Sequence, residues 1–185
     1  MKSIVLSIGL ILLALAAVGQ QNKRKEVNLS TLPAAKQSAI NAAVRRWNAE
    51  FKSNATDENQ PLTGDTSVET VHLGPSQEAD LVVTDPSYCS PTGNCAILIL
   101  RPVKNQYRVV LDGIGQSHTV RRTRTNGFGD IELAMHGSAT MSTIKVYKFN
   151  SSRYLRSSCL NEEFSVIDAD GNVQELEKPR ITPCG

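Results

Sequence analysis

Three histidines, His72, His118 and His136, are the side chains whose ordinary titration falls near neutral pH, so acid–base chemistry is sought first around them. His136 has the richest surroundings. It closes the segment Asp130-Ile131-Glu132-Leu133-Ala134-Met135-His136 and stands two residues before Ser138. In a hydrolase built there, Asp130 or Glu132 would orient the imidazole, and the imidazole would draw the proton from the Ser138 hydroxyl. Strand alternation argues against it. Asp130, Glu132, Ala134 and His136 fall at even spacing and share one face of a strand, where a terminal histidine is more often a structural hydrogen-bonder. The sequence also lacks G-x-S-x-G and H-E-x-x-H. Catalysis is the weaker expectation, with a hydrolase using His136 kept as an alternative.

Asp168-Ala169-Asp170-Gly171-Asn172, followed by Glu175, alternates oxygen ligands around a glycine in the manner of a shortened calcium loop. The full twelve-residue loop is absent. Strand-like residues on both sides make Asp-Gly the turn of a hairpin, and no metal or other cofactor is expected. Arg121, Arg122 and Arg124, with Arg101 and Arg108 on neighbouring segments, could form a basic strip for phosphate, lipid head groups or an acidic protein edge. Alternation turns Arg122 and Arg124 one way and Arg121 the other. Arg122, Arg124, His136 and Asp130 are therefore the candidate binding residues, on a face otherwise expected to be solvated.

The compartment decides what the four cysteines do. Met1 to Gly19 carries one early Lys2, an apolar stretch from Ile4 to Ala17 and small residues at its end, the pattern of a secretory signal peptide. Its apolar part, about 15 residues, is short of the roughly 20 that span a bilayer, so no stable membrane anchor is expected after cleavage. In an oxidising compartment Cys89, Cys95, Cys159 and Cys184 read as a disulfide framework with three connectivities open. Sequence proximity favours Cys89 with Cys95 and Cys159 with Cys184. The first pair closes a loop of turn formers, Pro91, Gly93 and Asn94; the second ties the C-terminal tail to a strand.

Lys2 is the only charge the leader removes from 20 Lys and Arg against 18 Asp and Glu, so the secreted part is close to neutral. No nucleic acid follows from that balance. Aromatic residues make up 5% of the chain and Trp47 is its one tryptophan, which weakens readings built on stacking platforms. The partner expected is an unknown protein or envelope component.

The elements that position these residues read as one helix followed by many strands. Residues 20–29 form a polar, flexible lead-in. Ser30 or Thr31 can cap a helix in which Ala35, Ile40, Ala43, Val44, Trp47 and Phe51 make one apolar stripe ending near Lys52. Residues 54–64 read as a loop. From Ser67 onward, short aliphatic runs alternate with Gly, Pro, Asn and Asp, without helices of crossover length between them, which is an antiparallel pattern.

Within that region the sequence repeats. Ala79-Asp80-Leu81-Val82-Val83 matches Gly129-Asp130-Ile131-Glu132-Leu133, and Ile97 to Arg101 with Tyr107 matches Ile144 to Lys148 with Tyr154. Thr125-Asn126-Gly127-Phe128-Gly129-Asp130-Ile131-Glu132-Leu133 and Lys145 to Asn150 give residues 79–159 a likeness to the FG-GAP or VCBS type of propeller repeat. The capped N-terminal helix, the Gly93-Asn94-Cys95 loop and Asn126-Gly127-Phe128-Gly129-Asp130 together also resemble small secreted bacterial proteins. The repeat resemblance implies blade-like sheets, and family loops often bind calcium; Thr123 and Thr125 stand where the early acidic ligands would be. The fold expected is mainly β (α+β): antiparallel sheets from two blade-like repeats, covered by one N-terminal helix, in a single disulfide-stapled domain over 30–185. Its expected role is secreted or periplasmic binding without catalysis. An inhibitor of a secreted enzyme, with the Ser90 to Asn94 loop as its plug, is the second alternative.

Overall fold

A computed structural model describes residues 25–51, 62–168 and 170–184. The segment read as a signal peptide and the first half of the expected lead-in lie outside the described residues. The described chain forms two five-stranded antiparallel sheets and one helix, the mainly β architecture that the spacing of apolar runs anticipates.

Sheet 1 is a meander of β1 (Glu26–Asn28), β2 (Ser67–Val71), β3 (Asp80–Cys89), β4 (Cys95–Val103) and β5 (Gln106–Gly115). Sheet 2 continues it with β6 (Ser117–Thr125), β7 (Phe128–Ser138), β8 (Met141–Phe149), β9 (Tyr154–Ile167) and β10 (Val173–Pro183). The single residue Gln116 carries the chain from one sheet to the other, its N–H donating to Ala134 O at 2.7 Å. Gly115 permits that switch, because a Cβ there would lie 3.1 Å from Ala134 O. Two-residue turns close the hairpins at Lys104-Asn105 and Asn126-Gly127, where all four residues have positive φ. That backbone matches strand twist and accounts for Asn and Gly at these places.

The lead-in gives way at Glu26. Residues 26–28 pair with β2, and Leu29 is buried at 2% exposure within a single 3-10 turn, Leu29–Thr31. Ser30 and Thr31 therefore stand ahead of the helix, with Thr31 Oγ1 donating to Asn28 O. Helix α1 (Ala34–Phe51) starts just beyond Pro33. Its inner face carries Ile40, Ala43 and Val44, whereas Ala35 of the expected stripe is exposed and Asn48 is buried.

Three layers result: helix, sheet 1, sheet 2. Leu81, Val83, Leu98, Leu100 and Val109 pack under Ile40, Ala43 and Val44. The alternate residues Val82, Ile97 and Ile99 point to the other side and join Ile131, Leu133, Phe149 and Tyr154 of sheet 2. A β-bulge between Ile99 and Leu100 gives β5 one extra residue, and both Val110 and Leu111 enter this second core. Burial on both faces is why β3, β4 and β5 read as unbroken aliphatic runs, while β7 alternates apolar and polar.

Both disulfides take the pairing that proximity favoured. Cys89 is bonded to Cys95, its register partner across β3 and β4, and Cys159 to Cys184 beyond the end of β10. They indicate an oxidising, extracytoplasmic environment. Among the described residues no helix is long and apolar enough to cross a membrane.

Candidate functional site

The side chains singled out for chemistry are distributed across the fold instead of gathered. His136 lies on β7, held through its backbone: its N–H donates to Asn94 Oδ1 at 2.8 Å and its carbonyl accepts from Asn94 Nδ2 at 2.7 Å. One amide side chain thereby fastens the disulfide-closed loop onto sheet 2. Ser138 does not serve the histidine; its hydroxyl pairs with Thr140 Oγ1 at 3.2 Å.

Cross-strand register gives His136 different neighbours. Ser142 stands directly opposite on β8, and Glu162 is opposite Ser142 on β9. The Ser142 hydroxyl donates to Glu162 Oε2 at 3.4 Å. A serine relay needs the imidazole between hydroxyl and carboxylate; here the hydroxyl is in the middle. The row is a polar strip on a sheet surface. Sequence spacing could not reveal it, because register across strands depends on turn lengths that a linear pattern does not carry.

Asp130, expected on that surface, is buried at 3% exposure at the foot of β7, with Oδ1 lacking a hydrogen-bond partner among the described residues. Arg101 is not part of a surface strip either. Its Nε donates to Asp80 Oδ1 at 2.9 Å, and its guanidinium lies 4.0 Å and 4.5 Å from the ring centroids of Phe128 and Phe149. This ion pair joins sheet 1 to the aromatic cluster of sheet 2. Burial raises the Asp80 carboxyl above the usual carboxylate range, against the pull of Arg101. Nearby, Tyr154 donates to Gly129 O at 2.8 Å, and burial pushes its phenol up to about 12.

Arg122 and Arg124 are separated by their roles. A register irregularity between Val120 and Arg124 breaks the alternation expected along β6. Arg124 Nη1 donates to Leu73 O and Gly127 O, so this residue ties β6 to the segment after β2; Arg122 is exposed. Arg121 Nε lies 3.7 Å from Glu132 Oε2. The basic strip is therefore not assembled. The Asp168 carboxylate accepts from the N–H groups of Asp170 and Asn172 and from Gln174 Nε2, all within its own hairpin. These bonds, the Asn172 one foremost, hold it below the usual range.

An inter-sheet contact that the sequence did not signal joins His118 on β6 to Glu69 on β2, Nε2 to Oε2 at 3.2 Å, with both side chains nearly buried. It borders a cleft of about 280 Å³ that also includes Ser67, Thr84 and Ser117.

The free surface lies elsewhere. Of eight exposed large hydrophobic side chains among the described residues, six belong to β9 and β10: Leu155, Leu160, Phe164, Ile167, Val173 and Ile181. Register aligns Ala134, Ile144, Leu160 and Pro183 in one row across β7 to β10, with His136, Ser142, Glu162 and Ile181 in the next. Both rows face away from the inter-sheet core, since Ile131 and Leu133 of β7 face into it. The outer edge of β10 is blunted by Pro179 and Pro183, by Glu175, Glu177, Lys178 and Arg180, and by a register shift between Glu175 and Arg180. An edge so blunted is a poor template for a further strand. No family model, curated protein or solved structure matches the chain.

Proposed function

We propose that this chain is a secreted or periplasmic recognition domain that binds a protein partner through the outer face of β8 to β10 and performs no catalysis there. The observation that carries the reading is the group of exposed apolar side chains that register places on that face, Leu155, Leu160, Phe164 and Ile181, while most other apolar side chains among the described residues are packed into two cores. Exposed apolar patches on a small domain mark contact surfaces. The Cys159–Cys184 bond supports it by fixing the last residues of an edge strand that has one neighbour only. Part of the same proposal is that β3 to β5 and β7 to β9 derive from one duplicated unit, as the propeller-repeat resemblance implies.

The test is a cross-linking capture from native envelope or culture fluid with the intact protein and with a Phe164→Lys plus Ile181→Lys variant. Both side chains are exposed, so the variant should keep the wild-type melting temperature and lose the partner. Equal capture by both proteins would remove the β9–β10 face as the binding surface.

A second reading, inhibition of a secreted enzyme, has one specific observation behind it. The Ser90 to Asn94 loop is closed by Cys89–Cys95 and braced by Ser90 N–H to Asn94 O, Gly93 N–H to Ser90 O and the Asn94 clamp on His136, while Ser90 to Gly93 stay exposed. A loop rigid before binding loses little entropy on docking. Deleting Pro91 to Gly93 separates the two: it abolishes inhibition and leaves capture through β9–β10 intact.

A further inference from the structure

The helix layer, on the far side of sheet 1 from the β9–β10 face, carries a second surface of different chemistry. Three adjoining clefts, of about 250, 340 and 260 Å³, meet at Gln106 beside the β4–β5 turn. Together they make a groove between α1 and that hairpin. We infer that this groove is a binding site for a short acidic peptide segment whose carboxylates alternate with aromatic or aliphatic side chains.

Four residues argue for that occupant. Arg46 and Arg108 bring two guanidinium groups to the same cleft as Trp47 and Tyr107, with Glu50 as its only acidic member. Arg46 is already positioned, because its Nη2 donates to Tyr107 O at 3.0 Å. One N–H committed to the protein leaves the rest of the five-donor fork for a carboxylate, and the side chain need not be ordered on binding. The same bond occupies an outward carbonyl of β5, the free edge strand of sheet 1, so a ligand lies on the side chains instead of extending the sheet. Trp47 is fixed in a similar way. Its indole Nε1 donates to Asp112 Oδ2 at 2.9 Å, which settles its one polar atom and leaves the half-buried ring as an apolar wall. Lys36 extends the positive lining into the neighbouring cleft, where Glu78 opposes it.

Size selects an extended chain over a compact cofactor. Each cleft is at or below the lower end of the range for enclosing a drug-sized molecule, yet they run on from one another. The turn that forms one wall is a two-residue hairpin, Lys104-Asn105, with φ of 49° and 62°. Such a turn is short enough to hold its shape.

Trp47 is the only tryptophan of the chain, so its fluorescence reads this groove. The intact protein is titrated with a blocked peptide of alternating Glu and Phe, and with a Lys and Phe peptide of equal length. A saturable change with the acidic peptide alone is expected, weakening as salt screens the charges. Arg108→Ala, an exposed position that leaves the Arg46 bond in place, should weaken binding at least tenfold, and Arg46→Ala plus Arg108→Ala should abolish it. Phe164→Lys plus Ile181→Lys should bind as wild type, which keeps this site distinct from the β9–β10 face. No saturable response, an equal response to the basic peptide, or unchanged affinity in Arg108→Ala overturns the inference.

Discussion

The two sheets have the same number of strands and the same up-and-down connectivity, yet one is covered on both faces and the other on one. Sheet 1 lies between α1 and sheet 2, so its central strands β3 and β4 devote both of their faces to packing. Its clefts open beside Gln106 and Tyr107 at the β4–β5 turn and beside Glu69 on β2. Sheet 2 spends one face on the shared core, and among the described residues nothing packs over the other, which includes the long β9–β10 hairpin. The comparison teaches where each kind of substitution will register. Changes in the buried strands of sheet 1 are expected to register as stability, and changes on the outer face of sheet 2, on the proposed function, as recognition.

The largest difference is expected between Ile99→Ala and Ile181→Ala. Ile99 is 0% exposed and meets side chains of both sheets, so removing its branches should cost about 2–5 kcal/mol. Ile181 is 50% exposed, and the same substitution there should stay within about 0.5 kcal/mol. Urea midpoints at constant slope measure both. Losses of equal size would mean that the outer face of sheet 2 is part of a core, and the contrast would collapse.

Much of this asymmetry is present in the sequence. The runs Leu81-Val82-Val83 and Ile97 to Leu100 announce strands buried on both faces, and Asp130 to His136 announces one buried on a single face. The helix, the antiparallel order and both disulfides follow from period and proximity. What did not show is anything set by register or by contacts distant in the chain. Glu69 meets His118, Asp80 meets Arg101, and Ser142 faces His136 only after the hairpins fix their offsets. Asp130 reads as a surface residue because aspartate usually is one, and Asp80 is its match in the repeat. Both are buried, Asp80 against Arg101, whose guanidinium lies over Phe128 and Phe149, an enclosed setting that no local pattern encodes.

The two disulfides sharpen the comparison at the next level. Cys89–Cys95, with a sequence separation of 6, belongs to sheet 1, and Cys159–Cys184, with a separation of 25, to sheet 2. On the loop-entropy model the first is worth roughly 2 kcal/mol and the second about 3.5 kcal/mol. Paired Cys→Ser variants, compared by urea midpoint, should show the larger loss for the sheet 2 bond. Removing it should also weaken partner capture, because β10 is an edge strand. An equal or reversed order would show that β10 is held by its ladder alone.

Asp85 tests how a rim of sheet 1 is fastened. Its carboxylate accepts from Thr63 N–H at 2.9 Å, Thr66 Oγ1 at 2.8 Å and Ser87 N–H at 2.9 Å, and from the Thr63 and Ser87 hydroxyls. Burial alone would raise this group, but the Ser87, Thr63 and Thr66 donors outweigh it and hold it below its ordinary value of 3.8. A depressed carboxylate contributes stability above that ordinary value and loses it as pH falls through the native one. Asp85→Ala should therefore cost about 1–3 kcal/mol at neutral pH, by stranding its donors, and should lose less than wild type on acidification below about pH 4. Asp80 works in the opposite sense. Its raised carboxyl favours folding below the ordinary value and withdraws that support as pH rises through the native one, so Asp80→Asn should not reproduce the acid effect. Melting temperatures across the acid range separate the two.

The smallest effect expected comes from a phenol buried in the core between the sheets. Tyr154 is 5% exposed, donates to Gly129 O at 2.8 Å and packs on Phe149 at 5.2 Å between ring centroids. Tyr154→Phe keeps the ring, so at neutral pH it should cost only about 1 kcal/mol for the hydrogen bond. Its signature is in alkali. A phenol raised to about 12 supports the fold fully below its ordinary value of 10.0, and that support declines as pH climbs from there through about 12. Wild type should lose stability across that interval more steeply than Tyr154→Phe, by melting temperature at each pH. Tyr147, also raised by burial and half-buried beside sheet 1, adds a decline common to both proteins, which the difference between them cancels. Identical alkaline profiles would mean that the Tyr154 hydroxyl is reached by solvent, and that the contact between the sheets is looser at this end than its packing implies.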